Sequence, residues 1–244
     1  MLFGRVGRKF GLTLAACASL AVLAGCTNAG TEDDPLEPFN RAVFQFNYAV
    51  DGVVLKPVTM VYRGVMPDKG QEMVSNALAN LYTPVTFFNS TLQADPENSF
   101  TSLWRFLINS TFGVAGLFDA ASEVGLKYRP TDFGQTLAIY GAESGVYVVL
   151  PIIGPSTTRD SAGRLADALM NPFNYIDQGF SIALWSATAV NKRSENMQLI
   201  DDIYRSSLDP YTTFRSGFLQ KRSADIAKAK AARKKSQEAA GLAQ

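Results

Sequence analysis

Three times the chain places an aspartate directly before a proline, at Asp34-Pro35, Asp95-Pro96 and Asp209-Pro210, and each time a run with helical spacing follows. An aspartate in that position can accept hydrogen bonds from the free N–H groups of a helix start. Proline suits the first turn, where its missing N–H has no partner to lose. The chain therefore reads as helices set off by caps. After Asp34-Pro35, with Glu37 where a capping-box acid belongs, Phe39, Val43, Phe46 and Val50 form one stripe. Phe44 and Tyr48 carry aromatics onto other faces, and a helix apolar nearly all round is buried in protein or in lipid.

Lys56-Pro57 is expected to end that segment. A helix from about Asp68 to Leu81 should bury Met73, Ala77 and Leu81, and Thr83-Pro84 should start a short helix bearing Val85, Phe88 and Leu92. Asp95-Pro96 opens the most regular stretch, with Phe100, Leu103, Trp104, Leu107 and Ile108 at helical spacing. The glycine-punctuated run Phe112 to Phe118 fits a bend better than a straight helix. Thr131-Asp132 restarts a helix through Leu137 and Tyr140. From Gly141 to Gly154 the Val-Tyr-Val-Val-Leu core favours a short extended piece bounded by glycines and Pro151. Ser156 or Thr157 can cap a helix bearing Ala162, Leu165, Ala166 and Leu169, which ends at Asn171-Pro172. Ile182 to Val190 is a further helical run, and Ser194 is expected to begin another, carrying Leu199, Ile200 and Ile203.

Composition narrows the surroundings such helices need. Apolar residues make up 47% of the chain and charged residues 18%, against about 25% charged in an ordinary soluble domain. Between Phe133 and Thr158 the only charge is Glu143. Yet no stretch after Cys26 supplies the roughly 18 unbroken apolar residues of a spanning helix. The body is too apolar for a typical soluble domain and too interrupted for a polytopic one.

The first residues explain where such a body would reside. Arg5, Arg8 and Lys9 precede an apolar run from Phe10 to Ala24, which ends in Leu23-Ala24-Gly25-Cys26. This resembles the bacterial lipoprotein signal, in which the cysteine becomes an acylated N-terminus. Several acyl chains on one cysteine hold a protein at a membrane face. Thr27 stands where lipoproteins kept at the inner membrane commonly have Asp, which favours the outer membrane. Cleavage removes three basic residues and no acid from totals of 23 and 22, leaving 20 and 22, a net charge of −2. Cys17 leaves with the signal, so disulfides, thiol catalysis and cysteine metal sites drop out. The chain has no histidine, which removes the commonest general base and metal ligand and rules out a Ser-His-Asp hydrolase. No nucleotide, metal or nucleic-acid motif occurs, so no cofactor, no metal and no catalytic residue is expected. The division is 1–25 signal, 26–33 acylated tether, 34–218 helical body and 219–244 basic tail. That tail holds 7 basic and 2 acidic residues, and reads as a solvated helix or as a contact for anionic lipid or a carrier.

Asp34-Pro35-Leu36-Glu37-Pro38-Phe39-Asn40-Arg41, Phe133-Gly134-Gln135-Thr136-Leu137 with Tyr140-Gly141, Leu150-Pro151, Arg159-Asp160 and Asp209-Pro210-Tyr211 resemble, in order and spacing, the MlaA (VacJ) family of outer-membrane lipoproteins. The resemblance covers roughly Asp34 to Phe218. It implies an all-α fold: a ring of amphipathic helices around a central channel, in the plane of the outer membrane. It also implies removal of phospholipid from the outer leaflet and its passage to a soluble periplasmic carrier, beside trimeric porins. On that footing Gly141 to Gly154 is a candidate channel-side hairpin with Gly141 and Gly145 as hinges, and Gln45, Phe46 and Asn47 are candidates for the channel wall. Plain turn glycines and plain helix surface remain open for these positions. The rival classes are a porin-associated structural lipoprotein that moves nothing, and a Ser-based phospholipase, which the missing histidine disfavours.

Overall fold

The computed structural model describes residues 34–239 and Gly241. The signal, Cys26 and the tether lie outside the described residues. α1 (Glu37–Val50) starts later than an Asp34 cap implies; its N-cap is Leu36, with no side-chain cap bond. The Asp34 carboxylate is engaged elsewhere, accepting from Asn40 Nδ2 (3.0 Å) and from the Tyr211 hydroxyl, while Glu37 holds Arg41 one turn on (2.7 Å). Pro57 does not end the segment either. α1 passes through a π-helical turn, Asp51–Leu55, directly into α2 (Lys56–Val65), with the Lys56 N–H donating to the Asp51 carbonyl. The bulge opens the hydrogen-bond ladder just where Pro57 has no N–H to give.

α3 (Asp68–Leu92) likewise runs through Thr83-Pro84 as one helix of 25 residues. Thr83 Oγ1 bonds back to the Ala79 carbonyl (2.9 Å) next to the break in the ladder. A mid-helix proline costs about 3 kcal/mol locally, and packing offsets it, because α3 lies along α4 (Pro96–Thr111) for much of its length. α4 starts as its sequence implies, the Asp95 carboxylate accepting from the Asn98 N–H at 3.0 Å. Beyond it Val114, Ala115 and Gly116 all have positive φ. A Cβ at Gly116 would strike the Asn80 side chain, so the bend's close approach to α3 requires glycine.

Asp119 caps the short α5 (Ala120–Glu123) and Asp132 caps α6 (Phe133–Ile139). The extended piece is an antiparallel hairpin, β1 (Tyr147–Leu150) with β2 (Gly154–Thr157), Tyr147 opposite Thr157 and Leu150 opposite Gly154. α7 (Thr158–Met170) grows straight out of β2 with Thr157 as its cap. A 3-10 turn, Pro172–Tyr175, leads to α8 (Gln178–Glu195). Ser194 does not begin a helix. It lies near the end of α8, its hydroxyl donating to Gln71 Oε1 (2.9 Å), and α9 (Met197–Ser206) follows Asn196. α10 (Pro210–Ala239) then runs 30 residues without a break at Phe218, so the basic segment continues a docked helix rather than hanging free. The described chain is thus mostly helical with one hairpin, and none of its helices is long and apolar enough to cross a membrane.

What is buried reverses the usual order. Among the described residues 26 polar or charged side chains are buried against six hydrophobic ones. In α4 the buried set is Asn98, Ser99, Ser102, Arg105 and Asn109, whereas Phe100 is 63% and Trp104 55% exposed. In α3 Met73, Ala77 and Leu81 are only half-buried while Asn80, Thr83, Asn89 and Ser90 are fully inside. The spacing is helical as read; the inward face is the opposite one. A small apolar cluster survives where Tyr147, Val149 and Tyr211 meet, with Val43, Phe44, Phe218 and Leu219 against them.

Candidate functional site

The polar interior is a connected network joining five elements. Asn89 Nδ2 donates to Asp167 Oδ1 (2.8 Å), and Thr136 Oγ1 donates to Asn89 Oδ1 (2.9 Å). Gln93 Nε2 reaches Thr131 Oγ1 (2.6 Å) and Thr136 Oγ1 (2.9 Å). Arg222 on α10 closes the network with two bonds to each of two carboxylates, Asp132 (2.6 and 2.7 Å) and Asp160 (2.8 and 3.0 Å). Burial pushes the Asp132 carboxyl up, and the Arg222 hydrogen bonds and charge overcome it, holding Asp132 below the usual carboxylate range. Asp167 has no such cation. Burial, opposed by the Asn89 bond, pushes it up to about 6.

The folded protein therefore keeps a proton on Asp167 in a range where a free aspartate has lost it. Stability from this group is full near pH 4 and declines as pH rises through 6. Asp167→Asn, which can keep an acceptor for Asn89 and Phe133, is expected to gain roughly 2 kcal/mol on the unsubstituted protein between about pH 4 and 7. Urea midpoints across that range read the gap, and a gap independent of pH would contradict the assignment.

A second polar site lies between α3, α4 and the α5 loop. It is a cavity of about 50 Å³ lined by Asn80, Thr83, Arg105, Asn109, Asp119 and Tyr128. Arg105 is held by Asp119 Oδ1 (2.8 Å), Ser122 Oγ (2.9 Å) and the Leu126 carbonyl. The space suits a few waters, not a lipid.

A third site fixes the hairpin. Asn40 and Asn47 lie two turns apart on one side of α1 and act as a surrogate strand. Asn40 Nδ2 donates to the Tyr147 carbonyl (3.1 Å) and its Oδ1 accepts from the Val149 N–H (2.8 Å). Asn47 Nδ2 donates to the Leu150 carbonyl (2.9 Å) and its Oδ1 accepts from the Ile152 N–H (2.7 Å). Ile152 has φ +67°, a left-handed conformation that a β-branched residue adopts only when held. Gln45 and Phe46 are exposed on other faces of α1, so the structure brings Asn47 to the hairpin and leaves those two away from it. Gly141, φ +93°, ends α6 with the Ala142 N–H bonding back to the Leu137 carbonyl (3.0 Å). Gly145, φ +66°, sits where a Cβ would strike Thr158 Oγ1.

The sequence reading took Asp34 for a helix cap, gave Asn40 no role at the hairpin and did not single out Arg193. Arg193 is 4% exposed and donates to Asp51 (2.8 and 3.1 Å) and Asp201 (2.6 Å), while Lys56 Nζ also meets Asp201 (2.8 Å). This hub ties the π-turn to α8 and α9. Among the described residues no group of three or more His, Cys, Asp or Glu could hold a metal ion.

A helical protein that pairs its amides, carboxylates and guanidinium groups inward and turns Phe, Trp, Val and Ile outward is one suited to apolar surroundings, with a polar interior for polar cargo or water. The chain belongs to the MlaA lipoprotein family, whose profile matches residues 32–225. It is 33% identical over 219 residues, 86% of this chain and 87% of the relative, to the intermembrane phospholipid transport system lipoprotein MlaA of Escherichia coli K12. It is 37% identical over 195 residues, 79% of this chain and 78% of the relative, to an uncharacterized protein of Rickettsia typhi. A solved structure described as the "structural basis for maintenance of bacterial outer membrane lipid asymmetry" superposes with a TM-score of 0.71 at 33% identity, covering 79% of this chain and 98% of that one. The Escherichia coli relative bears the name of a phospholipid-transport lipoprotein, and the family is one of lipid-transport lipoproteins rather than of enzymes.

Proposed function

We propose that this chain is an outer-membrane lipoprotein that extracts mislocalised phospholipid from the outer leaflet and passes it, through an amphipathic channel within a ring of helices, to a soluble periplasmic carrier. Acylated Cys26 would moor it on the periplasmic side, next to a trimeric porin, with phospholipid as its cargo. The observation that carries this reading is the reversed burial, with 26 polar side chains inside and Phe, Trp and Val outside. Helices too short to span float in the plane of a bilayer with their apolar faces in the acyl region. A polar interior then lowers the penalty a headgroup meets in hydrocarbon. Asn47, Gly141 and Gly145 would set the position of a hairpin beside the channel, and Gln45 and Phe46, exposed on other faces of α1, would line or abut the channel wall.

Both tryptophans, Trp104 and Trp185, are about half exposed on the outer faces of α4 and α8. In bilayers of brominated phospholipid their fluorescence should be strongly quenched, and in Trp104→Phe or Trp185→Phe protein the remaining indole should still be quenched. Emission unchanged by the bromines would place these faces in water and remove the reading. In cells, deletion should raise surface phospholipid; if it alters porin assembly instead, the chain is a structural lipoprotein that moves nothing.

Asn47→Ala removes both bonds to the hairpin tip. With each bond worth about 1 kcal/mol, Ile152 and its neighbours should exchange amide hydrogens roughly tenfold faster or more, while α3 and α4 stay protected. Unchanged exchange at the tip would mean that Asn47 does not hold it.

A further inference from the structure

α10 turns one row of side chains toward the body almost to its end. Arg222, Ile226, Ala229 and Arg233 recur at helical spacing and are half-buried, whereas Lys221, Lys228, Lys230, Lys234 and Lys235 on the outer side are exposed. Two arginines of the inner row, roughly 16 Å apart along the axis, attach the helix. They do so very differently. Arg222 is fixed by two carboxylates through four bonds of 2.6 to 3.0 Å. Arg233 makes one bond of 3.3 Å, from Nη1 to the Ile139 carbonyl, and lies 4.8 Å over the Tyr140 ring. Beside it Lys235 reaches Glu97 at the start of α4 (3.4 Å), with both side chains mostly in solvent. Contacts of this second kind contribute little each and weaken with salt.

What the shallow attachment touches is the root of the hairpin. Ile139 is the last residue of α6, and its carbonyl is among those a helix end leaves without an internal partner. Tyr140 follows, its hydroxyl donating to the Leu92 carbonyl at the end of α3 (2.6 Å), and Gly141 then turns the chain outward. Residues 141–145 are exposed and are held from α7, where Arg159 Nη1 donates to the Ala142 carbonyl (3.4 Å) and the Arg159 N–H to the Ser144 carbonyl (3.2 Å). Arg233 is the contact through which the end of α10 bears on the point where α6 gives way to the hairpin. The family profile ends at residue 225, so Arg222 falls inside it and Arg233 outside.

We propose that residues 226–239 are a releasable latch on the root of the hairpin, with Arg222 as its fixed pivot. Latched, Arg233 holds Ile139 and Tyr140 against the end of α3 and so steadies Gly141. Released, the last turns of α10 lift while Arg222 keeps the rest of the helix in place, and the stretch from Tyr140 to Gly145 opens more often. The motion stands on these contacts alone. Its consequence for lipid passage rests on the transport reading above: the latch keeps the hairpin beside the channel in its working position.

The test compares amide hydrogen exchange in the full-length detergent-solubilised protein, in Arg233→Ala and in a chain ending at Ala227. Both variants keep Arg222, so both should fold. Exchange from Tyr140 to Gly145 is expected to rise about fivefold in each, while residues 99–109 of α4 and 160–167 of α7 keep their protection. High salt should raise the same exchange in the unsubstituted protein and not in the shortened one. Lys230→Gln, on the outer side, should exchange as the unsubstituted protein does. Equal exchange from Tyr140 to Gly145 in all these proteins would overturn the latch, and so would an equal rise throughout α4 and α7, which means general loosening. In cells the shortened chain should raise surface phospholipid toward the level of the deletion strain. Faster exchange at the hairpin root with surface phospholipid at the full-chain level would overturn the latch's hold on lipid passage. Surface phospholipid unmoved by deletion of the whole chain would overturn the transport reading and not the latch.

Discussion

Arg193→Met is expected to destabilise the protein by about 3–5 kcal/mol, because it strips the largely enclosed Asp51 carboxylate of its guanidinium and leaves Asp201 to Lys56 alone. Arg193 bonds Asp51 at 2.8 and 3.1 Å and Asp201 at 2.6 Å, with its side chain only 3% exposed and those of its partners near 15%. Lys56 compensates only Asp201. The π-turn fits the same account, since its extra residue aims Asp51 at the guanidinium. For a protein of this size such a loss corresponds to a melting temperature lower by roughly 10 °C. Adding Asp51→Asn to Arg193→Met should recover part of the loss, because one stranded charge is gone. A single-variant loss below about 1 kcal/mol would show that the hub is solvated rather than buried.

The second large effect concerns the C-terminal helix. A chain ending at Phe218 lacks Leu219 from the apolar cluster and lacks Arg222, so Asp132 loses its bidentate cation and Asp160 keeps only Arg159. The expected loss is again about 3–5 kcal/mol, chiefly from the stranded Asp132 carboxylate, added to the packing defect, and the fold should be lost or reduced to a state with weak near-ultraviolet dichroism. A chain ending at Ala227 keeps Arg222 and loses the bond of Arg233 to the Ile139 carbonyl, its stacking on Tyr140 and the surface pairs Lys235–Glu97 and Lys234–Glu238. That truncation should cost about 1 kcal/mol, since exposed pairs contribute little. Similar stability of the two truncations would refute the role given to Arg222.

Much of the helical framework was legible because caps and periodicity are local. Asp95, Asp132 and Thr157 cap where their positions imply, and the glycines around Gly141 and Gly145 bound the hairpin. What misled was proline. Pro57 read as a stop and Thr83-Pro84 as a fresh start, yet a π-turn absorbs one and α3–α4 packing the other, and neither remedy is written near the proline itself. Burial misled more deeply. The apolar stripe of α4 is regular, but so is the polar one: Asn98, Ser102, Arg105 and Asn109 recur at helical spacing too. A stripe gives a face, and only the surroundings say which face is inward. Low charge content pointed toward lipid without naming residues.

The placement of Arg222 has a consequence in time. It lies 90 residues after Asp132 and 62 after Asp160, so Asp132 stays without its guanidinium, and Asp160 has only its neighbour Arg159, until that length of chain has followed. A nascent chain that has not yet reached Arg222 cannot make this lock, so the joint of α6, α7 and α10 closes only after the hairpin and α8 have been made.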